Sequence, residues 1–471
     1  MPGQDASAGG WSPALVIVLV VVLLAGALFG YDQGVISGAL EGVQKDLKLS
    51  PLLVEVVTSW VTLGALLGSL AGGELADRLG RRKALVVAAS LFAAGAAIEA
   101  VSPGVTILVL GRLVVGFGVG VAAVAAPLYA AELAPAPQRG RFVSAYQLAI
   151  TIGIFLSYLV DQALAARGDW RVMLGVSAVP AVLLLIAMLP AVESPRWLVR
   201  VGRRDEARAA IMRARPWVDP DVRLQSIEAS LRAEPGSASW GEVFAPAWRR
   251  PLMIGIGLAV FQQITGINAI IYYSDRIFAA AGFNSAAEQT QATTWAIGAV
   301  NVVATLIAIA FIDKLGRRPL LLAGLVGMFV SLAAVGIAFV SIGKGGASPL
   351  LGIVTLVALV VFIISFAFSL GPVTWTVINE IFPGRVRGRA VAIATAVNWG
   401  SAFIVSEFFL TLVDAIGESG AFWLFAFFCG VGGVWVYRQV PETKGCSLEQ
   451  IEALWTDQPP ATPVITASAV K

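Results

Sequence analysis

The chain has 471 residues, of which 58% are hydrophobic and only 13% charged, with mean hydropathy +0.82 and a formal net charge of +3. Ordinary soluble domains carry roughly 25% charged residues, so lipid, not water, is the solvent this composition fits, and the small net charge does not point to nucleic acid. The absence of histidine excludes Ser-His-Asp and Cys-His catalysis and any histidine metal site, while Cys429 (in an apolar run) and Cys446 (in a polar tail) form no metal or redox motif. No cofactor, metal or enzymatic centre is expected.

Residues 1–10 are small and polar with no basic residue, unlike the basic start of a cleaved signal, so the apolar run from Trp11 is predicted as a retained membrane helix. Such a helix needs about 20 mostly apolar residues. Twelve are predicted, at 12–40, 53–76, 83–101, 105–131, 140–163, 170–192, 250–281, 291–313, 318–342, 348–380, 386–414 and 419–440. The fold class is therefore an all-α membrane protein. The polar stretch 193–249 separates six helices from six, and its segments Arg204–Arg213 and Asp219–Arg232 have helical composition. The expected division is a six-helix bundle over 1–192, a helical linker over 193–249, a second six-helix bundle over 250–440, and 441–471 as a polar end. Beyond Thr456 the chain is rich in Pro, Ala and Thr and is expected to be disordered.

Lysine and arginine set the orientation. With both termini cytoplasmic, 26 of the 33 basic residues fall on the inside, six fall outside, and Arg112 falls within a helix. The expected location is a plasma membrane, crossed many times.

The sequence also repeats. Asp77-Arg-Leu-Gly-Arg-Arg82 recurs as Asp313-Lys-Leu-Gly-Arg-Arg318, each between the second and third helices of its half. Glu132 stands seven residues before Arg139-Gly140, as Glu380 stands before Arg387-Gly388, and Glu193 is echoed by Glu442. An even number of helices separates the members of each pair, so the copies share one side of the membrane, which makes a parallel repeat. Acids at helix ends facing arginines on neighbouring helices suit a closable cytoplasmic gate, since wet ion pairs are only marginally stabilising. The expected gate residues are Glu74, Asp77, Arg81, Glu132, Arg139, Glu193, Asp313, Arg317, Glu380 and Arg387.

These strings resemble a known family. Gly72-Gly73-Glu-Leu-Ala-Asp-Arg-Leu-Gly-Arg-Arg82 looks like the loop signature of the major facilitator superfamily. Pro127-Leu-Tyr129-Ala-Ala-Glu132-Leu-Ala-Pro135 with Arg139-Gly140 resembles the sugar porter signature. So do Glu193-Ser-Pro-Arg-Trp197, Gln262-Gln263-Ile-Thr-Gly-Ile-Asn268, Gly371-Pro372-Val-Thr-Trp375 and Pro441-Glu-Thr-Lys-Gly445. The resemblance implies the major facilitator fold and alternating access. It also implies that 193–249 and a helix after Cys446 form a cytoplasmic bundle.

A sugar needs neutral donors and acceptors plus an aromatic platform, and amides supply both hydrogen-bonding roles. Gln147, Gln262, Gln263, Asn268, Asn301 and Asn398 all lie in apolar helices, where amides are costly. Taken singly, each would also serve as helix–helix glue. Gly266, between Gln263 and Asn268, is placed to loosen its helix. Trp375 and Trp399 are the candidate platform. By resemblance, these amides, both tryptophans and Tyr272 match sugar-contacting positions, and Phe29, Ile150 and Phe366 match apolar wall positions.

Asp32 and Arg112 are an acid and a base inside helices one and four. At 1.5 Å per residue they lie about 12 and about 10 Å from the outer ends of their helices, so they are expected to pair. The functional reading is a proton switch, in which the pair opens in one transporter state and Asp32 then takes a proton; the alternative is a structural ion pair. By resemblance, an acid at position 32 is common in proton-coupled sugar porters, whereas Ser177 stands where some carry a second acid. The reading is a proton–monosaccharide symporter for a hexose or pentose, with the proton as coupling ion, working as a monomer. The alternatives are a facilitative sugar or polyol uniporter and, more distantly, a membrane sugar sensor. Gly64, Gly68 and Gly72 are expected to pack within the bundle, the alternative being a dimer contact.

Overall fold

The computed structural model describes residues 11–135, 138–233, 240–346, 348–382, 384–444, 451 and 455. The side chains of Arg139 and Asp313 lie outside the described set, as do most of the expected helix after Cys446 and the tail beyond Thr456. Among the described residues, twelve helices are long and apolar enough to cross a membrane. In chain order, spans 1 to 6 are Pro13–Leu47, Pro51–Leu79, Arg81–Ala100, Val105–Leu133, Arg139–Leu164 and Trp170–Met188. Spans 7 to 12 are Pro246–Ala280, Ala286–Phe311, Arg317–Gly345, Pro349–Glu380, Arg385–Glu407 and Phe409–Gln439.

Local sequence explains several starts. Ser12-Pro13, Ser50-Pro51 and Ser348-Pro349 each place a serine N-cap before a proline whose missing N–H a helix start does not need. The serine hydroxyls accept from the amides of Leu15, Leu53 and Leu351. Span 1 runs seven residues beyond its expected end at residue 40. The break between spans 11 and 12 is corrected more heavily, from 414–419 to Phe408. The apolar run Phe408–Val413 carries hydrophobicity straight across this tight junction and hides it, and the Gly417 that reads as a loop is instead a kink (φ 75°) inside span 12.

Spans 2 and 4, 1 and 5, and 3 and 4 make the main packing surfaces of the first group; spans 9 and 12, 9 and 10, and 7 and 11 make those of the second. The groups meet along spans 2 and 11, 1 and 7, and 5 and 8. Between them in sequence lie the short helices Pro195–Arg200, Arg204–Ala214, Pro220–Ala233 and Trp240–Val243. Ser12 Oγ donates to Ala214 O at 2.7 Å, and Arg215 Nη2 donates to the carbonyls of Leu133 and Ala134 at 2.9 and 2.7 Å, so these helices cap one end of the first group. That end is the linker face below; the other is the far face.

Glycine sets the closest approach. A Cβ on Gly64 or Gly68 would lie 2.3 or 2.1 Å from the carbonyl oxygen of Leu113 or Phe117 on span 4, and Gly116 and Gly120 meet span 2 as tightly. The glycine series therefore packs inside the bundle, against the helix that carries Arg112.

Besides the kink in span 12, four of the described spans are irregular. Span 6 is interrupted at Ser177, span 8 is π-helical over Thr293–Ala299, span 10 breaks at Ser369, and span 7 breaks at Thr265-Gly266. Gly266 has φ 93°, and a Cβ there would stand 2.7 Å from the Phe425 ring. Irregular backbone within membrane depth is tolerated where protein buries it or a cavity is lined by it. The last two breaks flank the candidate site.

Candidate functional site

Asp32 and Arg112 form the predicted pair: Arg112 Nη1 donates to Asp32 Oδ1 at 2.7 Å, and the side chains are 3% and 0% exposed. Arg112 Nε donates to Val57 O at 3.2 Å, which fixes the guanidinium plane against span 2. A third charge, unforeseen from sequence, completes the group. Glu99 Oε1 lies 3.8 Å from the same Nη1 and is 1% exposed. Charges this deep require partners, and here two carboxylates share one guanidinium.

Four of the six predicted amides form one chain. Gln262 Nε2 donates to Leu370 O at 2.7 Å, where span 10 resumes after its break. Asn398 Nδ2 donates to Gln262 Oε1 at 2.7 Å, Gln263 Nε2 to Asn398 Oδ1 at 3.2 Å, and Asn268 Nδ2 to Gln263 Oε1 at 2.9 Å. Gln262 and Gln263 precede the break in span 7 and Asn268 follows it, so the break lets side chains from both segments converge on span 11. All four are buried.

The remaining candidates sit around this chain or apart from it. Trp399, one residue beyond Asn398, is buried and packs on Phe29 of span 1 with ring centroids 5.3 Å apart, an apolar contact between the two groups of helices. Asn301 is buried on span 8 and Ile150 on span 5, while Gln147, Trp375 and Phe366 are half-buried. The Phe366 ring lies beside Gly371 at the span 10 break. None of the described hydrogen bonds ties Gln147 or Asn301 to the amide chain. Tyr272 is buried on span 7, and Gln33 Nε2 donates to its hydroxyl at 3.4 Å. Gln33 directly follows Asp32, so this bond ties the acid-bearing stretch of span 1 to span 7, four residues beyond Asn268.

Hydrogen bonds described between the two groups all lie in the far half of the spans. Ser37 and Ser274 hydroxyls are 3.0 Å apart, and Asp275 N donates to Ser37 Oγ at 3.2 Å. Tyr158 Oη donates to Ile271 O at 2.9 Å, and Thr294 Oγ1 to Tyr158 O at 3.0 Å. Glu55 accepts from Thr411 N and Oγ1, both at 2.7 Å, and Ser59 donates to Glu407. These bonds form a seal between the groups in their far halves, at the floor of a cavity of about 1130 Å³ that both groups line at the far face.

The sequence profile described as "Sugar (and other) transporter" matches residues 18–455. The chain belongs to the sugar porter family of the major facilitator superfamily. It is 39% identical over 380 residues to a glucose transporter of Staphylococcus epidermidis, covering 81% of this chain and 83% of that one. It is 38% identical over 382 residues to the galactose-proton symporter of Escherichia coli K12, covering 81% of each. Among solved structures, the inward-open xylose transporter of E. coli superposes with a TM-score of 0.79 at 31% identity, over 93% of this chain and 99% of that one. The protein is a membrane transporter, and these relatives are named as transporters, not enzymes. Among the described residues no group of three or more Cys, Asp or Glu could hold a metal.

At the linker face of this sugar porter the repeat becomes geometry. Arg81 Nη2 pairs with Glu132 at 2.9 Å and Nη1 with Asp77 at 3.0 Å; Arg317 Nη2 pairs with Glu380 at 3.1 Å. Glu193 accepts the backbone N–H groups of Arg81 (3.0 Å) and Arg82 (3.2 Å), and Glu442 those of Arg317 (3.0 Å) and Arg318 (3.1 Å). Each glutamate therefore caps the N-terminus of the third helix of its half, where exposed amides favour a carboxylate. Burial raises the Glu193 carboxyl above the usual range. Burial also acts on Glu442, but backbone N–H groups, led by Lys444, outweigh it and hold that carboxyl below the usual range. Two expected gate residues take other partners at this face. Glu74 is exposed and pairs with Arg78 on its own helix, and Arg387 Nε donates to Phe382 O at 3.0 Å, leaving Glu380 to Arg317.

Glu99 escaped the sequence reading because it lies one residue from the end of span 3, where an acid reads as an interfacial group. Side chains tilt toward the N-terminus of their helix. In these antiparallel neighbours, that tilt sends Glu99 down into the membrane and Arg112 up to meet it. The available signal was a lone acid beside the short 101–104 connection to the helix of Arg112.

Proposed function

We propose that this protein is a proton–monosaccharide symporter for a hexose or pentose, working by alternating access. The observation that carries the reading is the buried Asp32–Arg112 pair, with Tyr272 beside it on the same span 7 that supplies Gln262, Gln263 and Asn268 to the amide chain. In this mechanism the amides read sugar hydroxyls, with Asn301 and Gln147 completing the polar wall from the other spans. Trp375 and Trp399 face the sugar ring, and Phe29, Ile150 and Phe366 form the apolar wall. Asp32 takes a proton on one side and gives it up on the other, and Tyr272 senses whether Arg112 is held. The proton is the only coupling species required. One proton crossing about 100 mV supplies about 2.3 kcal/mol, enough for roughly fifty-fold accumulation of a neutral sugar.

We further propose that 1–192 and 250–440 are the two moving bundles, with 193–249 and 441–471 as cytoplasmic elements. The linker face is cytoplasmic on the lysine and arginine distribution, in a plasma membrane, and the transporter acts as a monomer. The seal between the groups in their far halves supports an inward-open state, in keeping with the solved relative. Arg81, Arg139, Arg317 and Arg387, with Glu132, Glu193, Glu380, Asp77, Asp313 and Glu74, serve the cytoplasmic gate. The decisive experiment is uptake by reconstituted vesicles from a panel of labelled sugars, with and without an imposed pH gradient. Asp32→Asn is expected to abolish uphill uptake and keep exchange, and undiminished accumulation in that variant would overturn the reading. The buried pair also fits a facilitative uniporter that uses it as a structural tie; that reading predicts no alkalinisation of the medium during uptake.

A further inference from the structure

Arg112 is shared. Its Nη1 stands 2.7 Å from Asp32 and 3.8 Å from Glu99, and all three side chains are nearly inaccessible to solvent. Glu99 Oε1 and Arg112 Nη2 are buried without hydrogen-bond partners. The pair that would satisfy both is therefore next to, but not in, the arrangement seen. Glu99 has little room to go elsewhere. Its Cγ lies 2.7 Å from the position a Cβ would take on Gly111, the residue before Arg112, so the close contact of spans 3 and 4 aims it at the guanidinium.

The geometry points to Glu99 as the second carboxylate of the proton site, the positioning residue that receives Arg112 when Asp32 is protonated. This rests on the proton-coupled reading above. With Asp32 and Glu99 both ionised the group carries one negative charge in excess, and one proton cancels it. A proton from water adds to a carboxylate oxygen of Asp32 and ends its ion pair. Arg112 then turns its free Nη2 to Glu99, so no buried cation is stranded, and deprotonation reverses the exchange. The other groups facing the site are Tyr272, near Arg112 and Asp32, with Gln33 on its hydroxyl. From span 6, Arg171 reaches Ser102 O but is paired with Asp46.

The test is sugar uptake against external pH for wild type, Glu99→Gln and Glu99→Asp, with counterflow at equal pH as the measure of folded, exchanging protein. Without the Glu99 charge, protonating Asp32 leaves a net buried cation. Glu99→Gln is therefore expected to keep counterflow but to need at least about tenfold more protons, moving half-maximal uptake about one pH unit or more to the acid side. Glu99→Asp is expected to restore the wild-type profile. An unshifted profile in Glu99→Gln would overturn the assignment. Should Glu99→Gln lose counterflow as well, Glu99→Asp decides: return of counterflow with the wild-type profile supports the assignment, and continued loss of either refutes it. A wild type with no pH-driven uptake refutes the symporter reading instead, so the two failures are distinct.

Discussion

Asn398→Ala probes the amide chain at its centre. Asn398 donates to Gln262 Oε1 at 2.7 Å and Ala259 O at 3.2 Å and accepts from Gln263 Nε2 at 3.2 Å. Truncation removes three hydrogen bonds and leaves Gln262 held only by its bonds to the Leu370 and Gly371 carbonyls and Gln263 only by its bond from Asn268. Interhelical hydrogen bonds in membranes average about 0.6 kcal/mol each, so the loss is about 2 kcal/mol. To the extent that this energy preorganises the amides for the sugar, its loss sets a ceiling of roughly thirtyfold on the weakening of binding. Ser331→Ala is the control, because Ser331 is as buried but bonds only to carbonyls of its own helix, Gly327 O and Met328 O. Dissociation constants of the purified proteins for the transported sugar provide the assay. Weakening by less than threefold in a folded Asn398→Ala, or equal weakening in Ser331→Ala, would refute the role given to the chain.

The seal in the far halves predicts that Ser37→Cys with Ser274→Cys, whose parent hydroxyls are 3.0 Å apart, cross-links under oxidation; transport should stop and return on reduction, and an oxidised, fully active double variant would contradict the seal. Gly266→Ala forces a side chain onto a left-handed residue and against the Phe425 ring; it should cost about 1–3 kcal/mol, read as a lower unfolding temperature in detergent, and an unchanged temperature would count against the break. The two capping glutamates should respond to pH in opposite senses. Glu442 is held below its usual range, so its contribution is complete above the unfolded value and fades as pH falls through the folded one; Glu442→Gln should be destabilised at neutral pH, with the difference vanishing in acid. Glu193 is held above its usual range, so its charged form is disfavoured at neutral pH and wild-type stability gains as pH falls toward the unfolded value; Glu193→Gln should lose less at neutral pH than Glu442→Gln. Thermal unfolding of both variants between pH 4 and 8 checks the contrast.

Much of this was legible in the sequence because lipid leaves few options. Apolar runs become helices, basic residues mark one face, and a repeat of Asp77–Arg82 at Asp313–Arg318 implies two similar halves. The Asp32–Arg112 pair followed from depth alone. What remained hidden depends on direction and neighbourhood. Glu99 lies near a helix end, yet its tilt takes it inward. Gln33 and Tyr272 touch only because spans 1 and 7 meet face to face, which no local pattern encodes. The tight turn at Phe408 has no glycine or proline to announce it, and Glu407 beside it is taken up by Ser59 of span 2. The pairing of Glu380 with Arg317, with Arg387 turned to a backbone carbonyl, is a choice among several arginines at similar depth, and only the packed structure makes it.

Coupling of a proton to a sugar at one site is what the proposed function requires. Its most direct test is the steady-state accumulation of labelled sugar in vesicles of known proton driving force, with proton movement recorded in the same sample. One-to-one coupling predicts accumulation rising about fifty-fold per 100 mV, with one proton entering per sugar. Uptake that only equilibrates, with no proton movement at any driving force, would contradict it.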